Sequence, residues 1–137
     1  MAKRPTGVAA RLLSDPNVYK VYLTNYLGDV MIEEISATDL KRRLDAGEDI
    51  QLIDVRQPEE WAFAKIDGAK LIPLGEILNR MDEIDANRET VIHCKAGMRS
   101  ARAVEALQRA GYQGELKNLK GGITAWSNEV DPKVPKY

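Results

Sequence analysis

Apolar positions along this chain change rhythm about a quarter of the way in. From Ile32 onward, short continuous apolar runs alternate with stretches in which apolar residues recur every three or four positions. The first pattern suits a strand covered on both faces, and the second a helix with one buried side. IQLIDV (50–55), AKLIP (69–73), TVIHC (90–94) and GELKNL (114–119) read as strands, and EEIS (33–36) as a shorter one. Between them lie the helical patterns. Ser36 stands three residues before Asp39, a capping arrangement that opens a helix through Leu40 and Leu44, with Gly47 as its stop. Pro58, Glu59 and Glu60 suit a first helical turn, where a missing N–H is harmless and acids face the positive dipole end. GEILNRMDEI (75–84) spaces Ile77, Leu78, Met81 and Ile84 for a helix. SARAVEALQRAG (100–111) does so with Ala103, Val104, Leu107 and Ala110, and Gly111 ends it. ITAWSNEV (123–130) is a last short helix. The regular β-α alternation predicts an α/β fold: an open, mostly parallel, five-stranded sheet with helices on both faces.

Residues 1–30 follow no such period. They contain Pro5, Gly7, Pro16 and Gly28 and the tyrosines 19, 22 and 26. VYKVYL suits a strand and VAARLL a helical turn, and the segment is expected to be an arm or linker ahead of a domain spanning 31–137.

Composition narrows the function. Lys plus Arg (20) nearly balances Asp plus Glu (21), so no global field favours nucleic acid or an acidic membrane. Apolar runs are too short to span a bilayer, and the basic start MAKRPTGVAARLL lacks a signal-peptide core. A single cysteine permits no internal disulfide, which points to a reducing, cytoplasmic setting. One cysteine and one histidine make a zinc site an unsuitable expectation, and no metal or cofactor is called for.

Thiol chemistry remains, and the only cysteine sits in HCKAGMRS (93–100). Cys94 falls where a strand ends and a helix has yet to begin, the place where open α/β sheets bind ligands. Backbone N–H groups of residues 95–100 can converge there, and the helix dipole adds to them, favouring a thiolate. Gly97 permits a tight turn, Lys95 and Arg99 bring positive charge, and Ser100 suits an N-cap. The ordinary alternative is a buried cysteine that acts as a small hydrophobe. His93 should point to the opposite face of its strand, away from the sulfur, and reads as structural. Asp54 and Arg56 lie beyond a strand end on the same rim. They either brace the loop and line its entrance or form an ordinary ion pair. Trp61 and Trp126 read as packing residues, Gly121 and Gly122 as a turn, and Lys41, Arg42 and Arg43 as a solvated helix face.

Four segments in order resemble the rhodanese-domain sulfurtransferases. IDVRQPEEW is similar to the family's early Asp-Val-Arg motif and the helix bearing Glu and Trp. KIDGAKLIP resembles the segment ending in Ile-Pro, CKAGMRSARA the loop and helix of the reactive cysteine, and GGITAW the closing motif. Lys65 stands where a histidine is common and Gln57 where an acid is common, both away from the nucleophile. The resemblance runs from about Ile32 to the last residue. It implies that Cys94 carries a persulfide, cradled by Lys95, Ala96, Gly97, Met98, Arg99 and Ser100. Sister phosphatases of this fold place five residues between cysteine and arginine, whereas Cys94 and Arg99 are separated by four. The smaller loop suits one extra sulfur rather than a phosphate.

The resemblance also implies partners. A sulfane-sulfur donor would load Cys94, either thiosulfate or a persulfidated protein such as a cysteine desulfurase. A ubiquitin-like sulfur carrier is a candidate acceptor, because CKAGMRSA and VDPKVPKY are similar to the C-terminal domain of adenylyltransferase/sulfurtransferase proteins. The ATP-binding part of such proteins is absent here, as expected for an excised or stand-alone domain. Rival readings are a cysteine-dependent phosphatase, a non-catalytic interaction module and a redox thiol sensor.

Overall fold

The computed structural model describes residues 18–25 and 28–137. Among these residues, six strands form one sheet in the order β1-β2-β6-β5-β3-β4. They are β1 (Val18–Asn25), β2 (Gly28–Ile35), β3 (Ile50–Asp54), β4 (Ala69–Leu71), β5 (Glu89–His93) and β6 (Leu116–Leu119). Four α-helices connect or follow them: α1 (Ala37–Asp45), α2 (Pro58–Phe63), α3 (Met98–Arg109) and α4 (Gly122–Glu129). β2 through β6 run parallel, and β1 alone runs antiparallel to its neighbour β2.

The expected architecture holds, with one strand more than the five anticipated. The extra strand comes from the segment read as an arm, and the hairpin β1–β2 crosses the expected boundary at residue 31. VYKVYL is indeed extended, whereas VAARLL and Tyr26 lie outside the described residues. Alternation explains β1's pairing. Val21 and Leu23 are half-buried while Tyr22 and Thr24 face solvent, and Leu23 packs with Val30 against the core.

Successive strand residues feed opposite cores, as strand geometry requires. Ile53 and Ile92 bury under α3 with Ala103, Val104 and Leu107. Leu52 and Val91 bury on the other face with Leu40 of α1 and Ile123 and Trp126 of α4. Side-chain parity therefore places Cys94 with Ile92 on the α3 side, and His93 with Val91 on the other.

Local signals held at most boundaries. Ser36 Oγ accepts from the Asp39 N–H at 3.1 Å and opens α1, and Pro58 begins α2. Two expectations need correction. GEILNRMDEI forms two 3-10 segments, Leu74–Glu76 and Leu78–Glu83, rather than an α-helix. Arg80 breaks the helical course with φ −123° and ψ 24°, held by ion pairs to Glu76 and Glu83. Ile77 and Ile84 still reach the core, but Leu78 is turned to solvent. Arg43 does not belong to a solvated face either. It makes paired hydrogen bonds of 2.6 and 2.7 Å to Glu89, a largely buried carboxylate on β5.

Candidate active site

Cys94 follows the last residue of β5, at the carboxyl edge of the parallel sheet. Its side chain is buried, 1% exposed. The Gly97 N–H donates to Sγ at 3.1 Å, and the Ser100 hydroxyl lies 3.2 Å from it. Gly97 makes this possible with a φ of +113°, a conformation glycine adopts without a Cβ penalty. That turn also starts the following helix early. α3 begins at Met98 with Gly97 as its N-cap, so Ser100 is not the cap expected from sequence. It sits instead in the first turn, where its hydroxyl reaches the sulfur. First-turn amides of an α-helix have no partner within the helix. Those of Met98, Arg99 and Ser100 are the first-turn amides of α3, whose intrahelical bonding starts with Ala101 N–H to the Gly97 carbonyl.

The other half of the loop is fixed from α4. Ile123 N–H donates to the Cys94 carbonyl at 2.9 Å, and Thr124 N–H to the Lys95 carbonyl at 3.1 Å. A trans peptide points its C=O and the next N–H in opposite directions. Tying those two carbonyls to α4 therefore aims the Lys95 and Ala96 amides away from α4. Gly121 and Gly122 bring α4 this close, and a Cβ on Gly122 would collide with both loop carbonyls. The pair is thus more than a turn.

Arg99 lies on the loop, but its guanidinium is engaged elsewhere. It forms a two-pronged ion pair with Glu60 of α2 at 2.7 and 2.9 Å. The Arg99 hydrogen bonds outweigh burial and, with Tyr137, hold the Glu60 carboxyl down at about 2. Asp54 and Arg56 are both fully buried and form an ion pair of 2.7 Å. Arg56 also donates to the Ala64 carbonyl at 2.6 Å and to the Tyr137 hydroxyl at 2.8 Å. Tyr137 in turn donates to Glu60 at 2.6 Å, and its ring lies 4.6 Å from Lys95 Nζ. Asp54, Arg56, Tyr137, Glu60 and Arg99 thus form one chain of contacts along the rim of the loop. Asp54 and Arg56 thus form the ion pair of one sequence reading, and Arg56 also carries the rim contacts on which the other reading rests.

His93 is completely buried, with both ring nitrogens lacking a hydrogen-bond partner and Nε2 3.9 Å from Asp54. Burial pushes its pKa down, more than Asp54 pushes it up. It pairs in register with Asp54 across β3 and β5, on the face opposite Cys94. Trp126 is core, while Trp61 is half-buried beneath Lys65, whose Nζ lies 4.9 Å from the ring centroid.

Three participants escaped the sequence reading: Glu60, Tyr137 and Asn118 of β6. Glu60 was visible as a first-turn acid and within the IDVRQPEEW resemblance, and Tyr137 as the end of VDPKVPKY, but neither was singled out. Asn118 had one hint, its place three residues before the glycine pair.

Comparison with known proteins identifies the fold. The rhodanese-like domain model matches residues 36–129, and the chain belongs to that family. A putative sulfurtransferase of Bacillus subtilis, YtwF, is 39% identical over 102 residues, covering 74% of this chain and 97% of its own length. A sulfurtransferase of Allochromatium vinosum is 41% identical over 104 residues, covering 76% and 96%. The probable adenylyltransferase/sulfurtransferase MoeZ of Mycobacterium tuberculosis is 39% identical over 105 residues, as the likeness to that group led one to expect. This chain covers 75% of itself in that match and spans about a quarter of the mycobacterial protein, 26%. Among solved structures, a rhodanese-like domain protein of Staphylococcus aureus superposes with a TM-score of 0.65 at 35% identity, covering 71% of this chain and 93% of its own.

Proposed function

We propose that this chain is a sulfurtransferase that relays sulfane sulfur through a persulfide on Cys94. The observation that carries the reading is the sulfur itself, held at the end of β5 by the Gly97 amide and the Ser100 hydroxyl inside a six-residue loop, 94–99. The Cys94 thiolate attacks the outer sulfur of a donor. With thiosulfate, the S–S bond breaks, sulfite leaves with the bonding pair, and Cys94–S–S⁻ remains. Loop amides and the first turn of α3 hold that anion. A nucleophilic acceptor then attacks the outer sulfur, and the thiolate departs. Cyanide would yield thiocyanate, and a sulfur-carrier protein would take up the sulfur. The names of the Bacillus and Allochromatium relatives support sulfur transfer, and a putative sulfur carrier protein of Bacillus subtilis, YrkF, is 34% identical over 100 residues.

Donor, acceptor and setting belong to the same proposal. Thiosulfate or a persulfidated protein such as a cysteine desulfurase loads Cys94, and a ubiquitin-like carrier receives the sulfur in the cytoplasm at a C-terminus activated as an acyl-adenylate. The persulfide attacks the acyl carbon, AMP leaves, and a thiol then cleaves the Cys94–S–S–acyl bond to release the thiocarboxylate. Among the described residues, no helix is long and apolar enough to cross a membrane, and no acidic or thiol cluster suits a metal ion. Four residues between Cys94 and Arg99 speak against a phosphatase, whose larger phosphate needs a wider loop. The test is mass spectrometry after incubation with thiosulfate, or with a desulfurase and cysteine. One sulfur should appear on Cys94 and leave with cyanide or dithiothreitol, and Cys94→Ser should lose both adduct and transfer. Transfer by the serine variant would sink the reading, because the chain has one cysteine.

A further inference from the structure

Ser100 has one hydroxyl hydrogen and two neighbours that want it. Its Oγ lies 3.2 Å from Cys94 Sγ and 2.5 Å from Asn118 Oδ1. Both Ser100 and Asn118 are buried, 0% and 1% exposed, so water does not arbitrate. The orientation of the Asn118 amide follows from its other partners. Its far atom meets the Glu34 carboxylate at 2.8 Å and the Gly97 carbonyl at 3.1 Å. Carboxylate and carbonyl oxygens only accept, so that atom is the NH₂ group and the oxygen faces Ser100. The Ser100 hydroxyl must then donate to Asn118. Its lone pairs are left for the sulfur, which suits a neutral S–H donor and not an anion. Once Cys94 is a thiolate, the same hydrogen is wanted by sulfur.

We propose that Asn118 is a positioning residue that sets how far the Ser100 hydroxyl hydrogen bond reaches the sulfur of Cys94. This rests on Cys94 being the reacting group. Asn118 restrains the charged form of the sulfur until a thiolate or persulfide draws the Ser100 hydrogen across. Glu34 of β2, 84 positions away in sequence, keeps the amide from flipping. The same NH₂ group fixes the Gly97 carbonyl, and through it the turn whose amide also donates to sulfur. The charged and titratable groups around the loop include Lys95 beside the Tyr137 ring, Arg99 of α3 paired with Glu60 of α2, Glu34 of β2, and the Asp54, Arg56 and His93 cluster at the ends of β3 and β5. Arg102, Glu105 and Arg109 lie further along α3, and Lys117 on β6 pairs with Glu89. None of them is removed by the substitutions below.

The experiment is a pH titration of thiolate ultraviolet absorbance, with the Cys94→Ser protein subtracted to remove tyrosine. It reads the ionisation of Cys94 and needs no sulfur transfer, so its outcome is separate from that of the transfer assay. Asn118→Leu removes the competing acceptor at similar volume. The midpoint should fall, raising the thiolate fraction about three- to tenfold on the acid side. Ser100→Ala should raise the midpoint. In the Ser100→Ala background, the Asn118→Leu shift should shrink to whatever the lost Gly97 carbonyl contact contributes, as a double-mutant cycle requires of a residue acting chiefly through Ser100. Asn118→Asp, a stronger acceptor, should raise the midpoint, and Ser100→Ala should reduce that rise. A Ser100→Ala midpoint equal to wild type would overturn the proposal, as would an Asn118 effect that survives intact without Ser100. Should Asn118→Leu fail to fold, the Asn118→Asp and Ser100→Ala proteins, alone and combined, decide the matter by the same comparison.

Discussion

A methyl group at Gly122 would run into the carbonyl oxygens of Cys94 and Lys95, and its φ of +58° disfavours any Cβ. Left-handed backbone costs about 1–2 kcal/mol for an ordinary residue. Gly122→Ala should therefore lower the melting temperature by several degrees. Transfer should fall further than stability accounts for, because the shifted carbonyls carry the loop amides with them. Equal rates per folded molecule would show that α4 does not set the loop. His93 gives a prediction of a different kind. Its folded pKa is depressed by burial below the ordinary 6.5. Below that pH the unfolded chain binds a proton that the folded chain resists, so stability rises with pH in this window and is lost on acidification. His93 is the only histidine in the chain. Urea midpoints of wild type should thus decline as pH falls below 6.5 toward the folded value, and His93→Phe should flatten that slope. An unchanged slope would remove His93 as the cause.

Between elements, charge pairs fasten what the two cores do not. Lys117 of β6 is almost fully buried and bonds Glu89 of β5 at 3.0 Å and Glu115 at 2.7 Å, while Arg43 of α1 grips Glu89 from the other side. Burial works against the charge on Glu89, but Arg43 and Lys117 outweigh it and hold the carboxyl at about 2. A depressed carboxyl contributes stability that is complete above its ordinary 4.5 and disappears as pH falls to about 2, a window well apart from that of His93. Removing one member of a buried pair costs about 3–5 kcal/mol, since the other is left charged and unmatched. Lys117→Ala should approach the lower end of that range in chemical denaturation, because Arg43 still matches Glu89. Glu60 and Arg99 join α2 to the loop in the same manner, at the mouth. Glu60→Gln should free the Arg99 charge and lower KM for thiosulfate several-fold at low salt, the gain shrinking as salt screens it. A raised KM would show that Glu60 is needed to aim Arg99.

For the whole molecule, the matched family region begins at residue 36, yet the sheet extends two strands further toward the N-terminus. β1 pairs with β2 along its full length, whereas β2 meets β6 through two register pairs, Glu34 with Asn118 and Ile35 with Leu119. β2 brings Glu34 to Asn118, and β1 adds an edge with Leu23 against the core and the Tyr19 ring 5.0 Å from Lys120 Nζ. A chain starting at Gly28 should fold, transfer sulfur at an unchanged rate and melt at a lower temperature. Loss of transfer with the fold intact would mean that β1 shapes the site.

Periodicity was legible because it is a local property. A strand buried on both faces must be continuously apolar, and IQLIDV and TVIHC could hardly be read otherwise. Cys94 and Gly97 were legible as a candidate loop in the same local way, through their place between a strand and a helix, and the resemblance to the family supplied the expectation of a cradle. The apolar spacing of 75–84 marked the right buried residues but not the hydrogen bonding, since Ile77 and Ile84 can bury from 3-10 turns as well as from a helix. β1 was hard to read because a one-sided edge strand takes its order from the sheet it joins. What no local pattern contains is the strand order β2-β6-β5-β3. That order sets Glu34 beside Asn118 and behind Ser100. It sets the end of β3, and with it Arg56 and Glu60, beside the loop, where Tyr137 reaches Glu60 from 77 positions away. By itself the sequence determined most of the sheet's elements and singled out Cys94 as the candidate nucleophile. Only the tertiary structure decided which distant hydrogen bonds and ion pairs hold Cys94 and its loop in place, because their partners are joined by packing and not by spacing along the chain.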